Sequence, residues 1–238
     1  MKNRIHILDE LRGLCVALMV IYHALYTYSW MFDWEFATKM QAFFFPVEPL
    51  FAGIFIALCG FSCRLSRNNW RRGGLLALVA LGMTGVLWVA MPSQVIWFGV
   101  LHCLAVCILV FAAAKPLLDR IPPLVGFLVS AALAALLWTV PTTFGGKFLG
   151  MEIPFAWSAD IWWFPLGFSG LYSADYFPLI PWLFVFMAGT FVAQWRDRLP
   201  SWCMKPHVKP LSFLGRCSLI VYLVHQPLII LLGQIIFQ

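Results

Sequence analysis

Charge is what this sequence lacks. Only 11% of its 238 residues are Asp, Glu, Lys or Arg, whereas about a quarter of an ordinary soluble domain is charged. A chain this poor in charge cannot dress a water-facing surface, which excludes a soluble globular protein. Metal-binding spacings are missing too: there is no C-x-x-C and no H-x-x-x-H. Cys59 and Cys63, like Cys103 and Cys107, stand four apart inside apolar runs, where thiols serve as small packing groups. Seven cysteines, an odd number set mostly in hydrophobic stretches, argue against a disulfide framework. Internal repeats and low-complexity tracts are absent. The first apolar run is too long for a cleavable leader, and no small-residue cleavage site follows it.

What the sequence has instead is hydrocarbon. Apolar residues make up 62% of it, and several runs approach the roughly 20 residues that cross a bilayer as a helix. Seven spans are expected, near 11–30, 43–63, 75–91, 95–114, 122–140, 177–194 and 214–237. The third is expected to be short, stopping at Met91-Pro92. With the N-terminus inside, all of the 16 basic residues except Lys39 and Lys147 fall on the cytoplasmic side. The expectation is therefore an all-α integral membrane bundle of about seven helices in a single domain, 1–238. Its N-terminus is cytoplasmic and its C-terminus extracytoplasmic. Topology then accounts for the net charge of +6, leaving no argument for nucleic acid.

Ionisable groups inside such helices are costly and mark functional sites. Arg12 and His23 bracket the stretch RGLCVALMVIYH. Eleven residues separate them, which is about 16 Å along a helix and close to three full turns. Arg12 alone reads as a snorkelling interfacial arginine, with Asp9 at i−3 able to pair with it. His23 alone reads equally as a packed imidazole or as a general base. His102 and His225 also lie within apolar runs, and three such histidines suggest one shared polar cavity. At the inner end of the second span, Arg64 and Arg67 suit a polyphosphate through charge-assisted bonds, although a positive-inside loop explains basic residues there as well. Together these features describe a path from a phosphate-binding mouth to an imidazole, about the reach of a pantetheine arm. In the long loop 141–176, Trp163 and its neighbours read as interfacial anchors or as a surface that stacks on sugar rings.

The string RIHILDELRGLCVALMVIYH resembles the opening of the transmembrane acyltransferases, with the R-x10-H signature of the acyltransferase-3 group. The lead-in Leu8, Asp9, Leu11, Arg12, Gly13 is more similar to the heparan-α-glucosaminide N-acetyltransferase catalytic family. The same holds for FAGIFIALCGFSCRLS, GVLHCLAV, FPLIPWLFVFMAGTFVA and LGRCSLIVYLVHQPLI. The resemblance implies an acyltransferase that moves an acetyl group from cytosolic acetyl-CoA to an extracytoplasmic sugar, amino sugar or glycolipid. In that reading His23 is the base, with Asp9 and Arg12 supporting it. Arg12, Arg64 and Arg67 receive the donor's phosphates, while His102, His225, Tyr22 and Trp163 line the acceptor side. No metal is expected. The protein would be a multi-pass component of a bacterial cytoplasmic membrane, and a homo-oligomer is compatible with it. The alternative from another class is a proton-coupled transporter or flippase, against which the odd span number and the lack of paired broken helices argue.

Overall fold

The computed structural model describes residues 4–138, 147–148, 151–152, 173 and 175–237. Nine helices carry the described chain: α1 (His6–Phe32), α2 (Glu35–Phe44), α3 (Glu48–Leu65), α4 (Asn69–Ala90), α5 (Val100–Leu118), α6 (Pro123–Leu136), α7 (Leu179–Val192), α8 (Lys209–Arg216) and α9 (Ser218–Phe237). Between α6 and α7 a two-stranded ladder pairs Lys147–Phe148 with Met151–Glu152. The helices follow the hydrocarbon runs because a buried or lipid-facing backbone must bond to itself.

Among the described residues six helical stretches are long and apolar enough to cross a membrane: α1, α3, α4, α5, α9, and α7 with its 3-10 continuation to Arg198. The fifth expected span, 122–140, forms α6, an apolar helix of 14 residues. That is about 21 Å of helix against a hydrocarbon core of about 30 Å. The third span is not the short one. Asn68 caps α4 by accepting a hydrogen bond from the Arg71 N–H at 2.9 Å, so the helix starts ahead of Arg71 and Arg72 and runs 22 residues. The expected last span is divided at Cys217, separating short α8 from α9.

The chain forms two compact units, Met1–Leu58 with Arg198–Gln238, and Cys59–Asp197. In the first, α1 packs against α2, α8 and α9. The α1–α8 crossing is backbone to backbone. A Cβ on Gly13 would collide with the Leu211 carbonyl oxygen, and one on Gly215 with that of Asp9. Small residues permit this approach. Glu10, buried at 5% exposure, locks the crossing. Its Oε1 accepts from the N–H groups of His207 at 2.6 Å and Val208 at 2.9 Å, and from Ser212 Oγ at 3.1 Å. Two of these donors lead into α8, where no helical carbonyl is available to them. On α9, Gly233 lets Phe32 and Tyr28 close against the helix backbone.

In the second unit α4 packs on α5, α6 on α7, and α5 on α7. Gly60 of α3 meets the Phe186 carbonyl, and Gly126 of α6 lies under the Phe191 ring. The residues leading into α5 and α7 are tied by a parallel bridge, Phe98 to Tyr176, with the Phe177 N–H donating to the Phe98 carbonyl at 2.9 Å.

Gly13→Ala or Gly215→Ala should force α1 and α8 apart. Thermal unfolding in detergent should register a loss of roughly 1–3 kcal/mol. Gly85→Ala, where a Cβ meets nothing, should show no comparable loss.

Candidate active site

Helix α1 is continuous from His6 to Phe32, so Arg12 and His23 occupy one rigid rod about 16 Å apart and about 20° apart around its axis. Asp9 bridges two guanidinium groups near its start. Arg12 Nη1 donates to Oδ1 at 3.0 Å and Arg4 Nε donates to Oδ2 at 2.7 Å. The carboxylate is buried, and the Arg12 side chain is only 18% exposed. Holding this turn of α1 against α8 therefore also orients Arg12.

Three turns further on, α1 meets α9. His23 Nδ1 lies 2.7 Å from His225 Nε2, with the rings within 15° of parallel. The partners fix where the protons sit. His225 Nδ1 faces the carbonyl oxygens of Tyr222 at 2.6 Å and Val221 at 3.2 Å. Carbonyls only accept, so Nδ1 of His225 carries hydrogen and, in a neutral ring, its Nε2 carries the lone pair. His23 must then donate from Nδ1, which leaves the lone pair of His23 on Nε2. That atom bonds to no described residue. An imidazole in this tautomer is ready to accept a proton there. One turn along α1 the seam is sealed by Gln226 Nε2 donating to the buried Thr27 hydroxyl at 2.9 Å. The Gln226 Oε1 is buried and has no partner among the described residues. Tyr22 sits beside the pair, its ring 6.0 Å from His23 and 6.4 Å from Phe51.

The other expected residues belong to the second unit. His102 has both ring nitrogens engaged near the α5 N-terminus. Nδ1 accepts the Gly99 N–H at 3.3 Å, so Nε2 carries hydrogen and donates to the Thr84 hydroxyl at 3.2 Å. Thr84 in turn donates to the Ile96 carbonyl at 2.5 Å. Arg64 is gripped from all sides: it pairs with Asp119, donates from Nε to the Thr190 carbonyl at 3.2 Å, and lies over the rings of Phe111 and Phe191. Its Nη2 is buried without a partner among the described residues. Arg67 is exposed. Trp163 lies outside the described residues. Among the described residues no group of three or more His, Cys, Asp or Glu side chains is placed to hold a metal ion.

Residues 4–227, which include every one of these positions, match the family model described as heparan-alpha-glucosaminide N-acetyltransferase, catalytic. The chain belongs to that family. No curated protein and no solved structure matches it. Membership in the N-acetyltransferase family implies acetyltransferase activity, with acetyl-CoA as the family's donor. The apolar helices make this a multi-pass membrane member of it.

Within this family member, the structure joins His225 directly to His23, where sequence reasoning set it on the acceptor side. It also adds residues that reasoning had not singled out: Glu10, Thr27, Asp119 and Gln226. Thr27 and Gln226 had a visible signal, since each is a polar residue four or one positions from a membrane histidine. Asp119 had a partial one in Lys115, four residues before it, whereas its bond to Arg64 and those of Glu10 link positions distant in sequence.

Asp119, at the end of α5, carries a pH signature. Burial pushes its carboxyl up, but the hydrogen bonds from Lys115 and Arg64 and both cationic charges outweigh this and hold it below its ordinary value. A lowered folded value means that the stabilisation is complete above the unfolded value, about 3.9. It is lost as the pH falls through the folded one. Asp119→Asn should flatten the acid limb of thermal stability measured below about pH 4. At neutral pH it should cost on the order of 1–3 kcal/mol, below a fully buried pair because Asp119 faces water on one side.

Proposed function

We propose that this chain is a membrane acetyltransferase that carries an acetyl group from cytosolic acetyl-CoA to an extracytoplasmic sugar or amino sugar, with His23 Nε2 as the general base. The observation that carries this reading is the His23–His225 contact. It leaves one imidazole lone pair unclaimed among the described residues, on the same continuous helix as the R-x10-H arginine.

The chemistry runs as a direct transfer. An acceptor N–H or O–H gives its proton to His23 Nε2 as nitrogen or oxygen attacks the thioester carbonyl. A new C–N or C–O bond forms and the C–S bond breaks. The coenzyme A thiolate leaves and takes the proton from His23 as it becomes a thiol. Arg12, held by Asp9, is proposed to receive a donor phosphate, a task suited to a guanidinium. About 16 Å of α1 then spans the distance from phosphate to thioester. Arg64 and Arg67 are proposed as further donor contacts in the second unit, each to be tested by its own substitution. Tyr22, beside His23, is proposed to contact the acceptor, and so are His102 and Trp163.

The proposed arrangement has the N-terminus in the cytoplasm and the C-terminus outside, with α6 counted as a seventh crossing. The basic asymmetry of the sequence supports that orientation. A bacterial cytoplasmic membrane is the proposed location, and amide formation on an amino sugar is favoured over ester formation by the family's description.

Two measurements test the reading. Coenzyme A release from acetyl-CoA, followed with a panel of amino sugars, should fall by about 10²–10⁴-fold in His23→Ala. Equal turnover by that variant would sink the base assignment, and the absence of any release from the wild type would favour a carrier. Arg12→Ala should weaken acetyl-CoA binding by about tenfold or more, the loss of one charge-assisted contact. Unchanged affinity would remove Arg12 from the donor site.

A further inference from the structure

A base inside hydrocarbon has a difficulty that a base in water does not. When His23 accepts a proton it becomes a cation, and a lone cation in a low-dielectric site is expensive. Serine hydrolases solve this with a carboxylate behind the histidine. Here no carboxylate bonds to either imidazole among the described residues. What stands behind His23 Nδ1 is His225 Nε2 at 2.7 Å, and behind His225 Nδ1 stand two main-chain carbonyls at 2.6 and 3.2 Å.

Resting on the reading of His23 as the base, we propose that His225 is its positioning residue and proton partner, with the Tyr222 and Val221 carbonyls in the place a carboxylate occupies elsewhere. At rest the chain of hydrogen bonds runs one way, from His23 Nδ1–H to His225 Nε2 and from His225 Nδ1–H to the carbonyls. That direction forces the lone pair of His23 onto Nε2. When the acceptor delivers its proton to Nε2, the Nδ1 proton of His23 passes across the 2.7 Å gap to His225 Nε2. The charge now sits on His225, whose Nδ1–H points at two carbonyl dipoles, while His23 is a neutral ring with hydrogen on Nε2. As the C–S bond breaks, His23 Nε2 gives that hydrogen to the departing sulfur and His225 Nε2 returns the other to His23 Nδ1. One proton has moved from acceptor to thiol, and both rings are back in their starting tautomers. No additional reactant is needed.

The surroundings fit this role. The Gln226–Thr27 bond at 2.9 Å pins α9 to α1 one residue from His225 and one turn from His23, fixing the register in which the rings meet. With both nitrogens spoken for, His225 has no atom left for an acceptor. It acts on the reaction only through His23.

The test needs three variants and reads both a spectrum and a rate. Histidine-selective ¹⁵N labelling of the full chain in detergent, with the His23 signals assigned by their loss in His23→Ala, reads the tautomer directly. Wild-type His23 should carry hydrogen on Nδ1, and His225→Leu should shift it toward Nε2. In the coenzyme A release assay His225→Leu should lower kcat by about 10²–10⁴-fold with little change in KM for acetyl-CoA. His225→Gln, whose amide oxygen can accept from His23 but cannot take its proton, should restore the tautomer while leaving kcat at least about tenfold below wild type. Hydrogen on Nε2 of wild-type His23 would overturn the proposal, as would a fully active His225→Leu beside an inactive His23→Ala. An active His23→Ala would instead overturn the base assignment, so the two failures are told apart. Should His225→Leu not fold, the wild-type spectrum and the Gln variant still decide.

Discussion

The seam between α1 and α9 depends on one constraint: in hydrocarbon, a polar side chain must find another polar side chain or a backbone group. His23 finds His225, and Thr27 finds Gln226. Each of these bonds is ordinary in length. What makes them decisive is that lipid offers no substitute, so a shifted register would strand four polar groups at once. The tautomer of His23, and with it the atom available for chemistry, follows from the same seam. Specificity of fold and the proposed readiness for reaction rest on a single arrangement of donors and acceptors.

The seam is held from its far end by contacts of another kind. Gly13 and Gly215 bring α1 and α8 together backbone to backbone, and Glu10 bonds the chain entering α8. Since α8 leads through Cys217 directly into α9, the α1–α8 crossing sets the azimuth at which α9 returns to α1. A carboxylate near residue 10 and a pair of glycines thus govern where an imidazole at position 225 points. The second unit uses comparable devices for a different end. Arg64 is gripped by Asp119, a carbonyl and two aromatic rings, and His102 tends the start of α5.

Much of this was legible in the sequence, for physical reasons. Bilayer-length apolar runs announce crossing helices, and Asp9 three residues before Arg12 announces their ion pair, found at 3.0 Å. The motif RIHILDELRGLCVALMVIYH carried the family. Less visible were α2 and α8, short helices that lack the continuous hydropathy of a span. The α4 boundary was misjudged because Arg71 and Arg72 look like loop residues until Asn68 is seen as a cap. The His23–His225 contact left no local trace at all. Its partners are 202 positions apart, and neither residue's neighbours encode the other. Hydropathy reports which residues enter the membrane; only the packing reports which of them meet.

That separation has a consequence for how the protein is made. During synthesis α1 emerges well before α9, the helix that satisfies its histidine and threonine. Throughout elongation and insertion of everything between, His23 and Thr27 sit in lipid or against temporary neighbours, without the bonds that later define them. The α1–α9 seam therefore cannot close until α9 has been made. A chain cut short before α9 would lack the imidazole that meets His23 Nδ1, and would carry the R-x10-H motif without that contact.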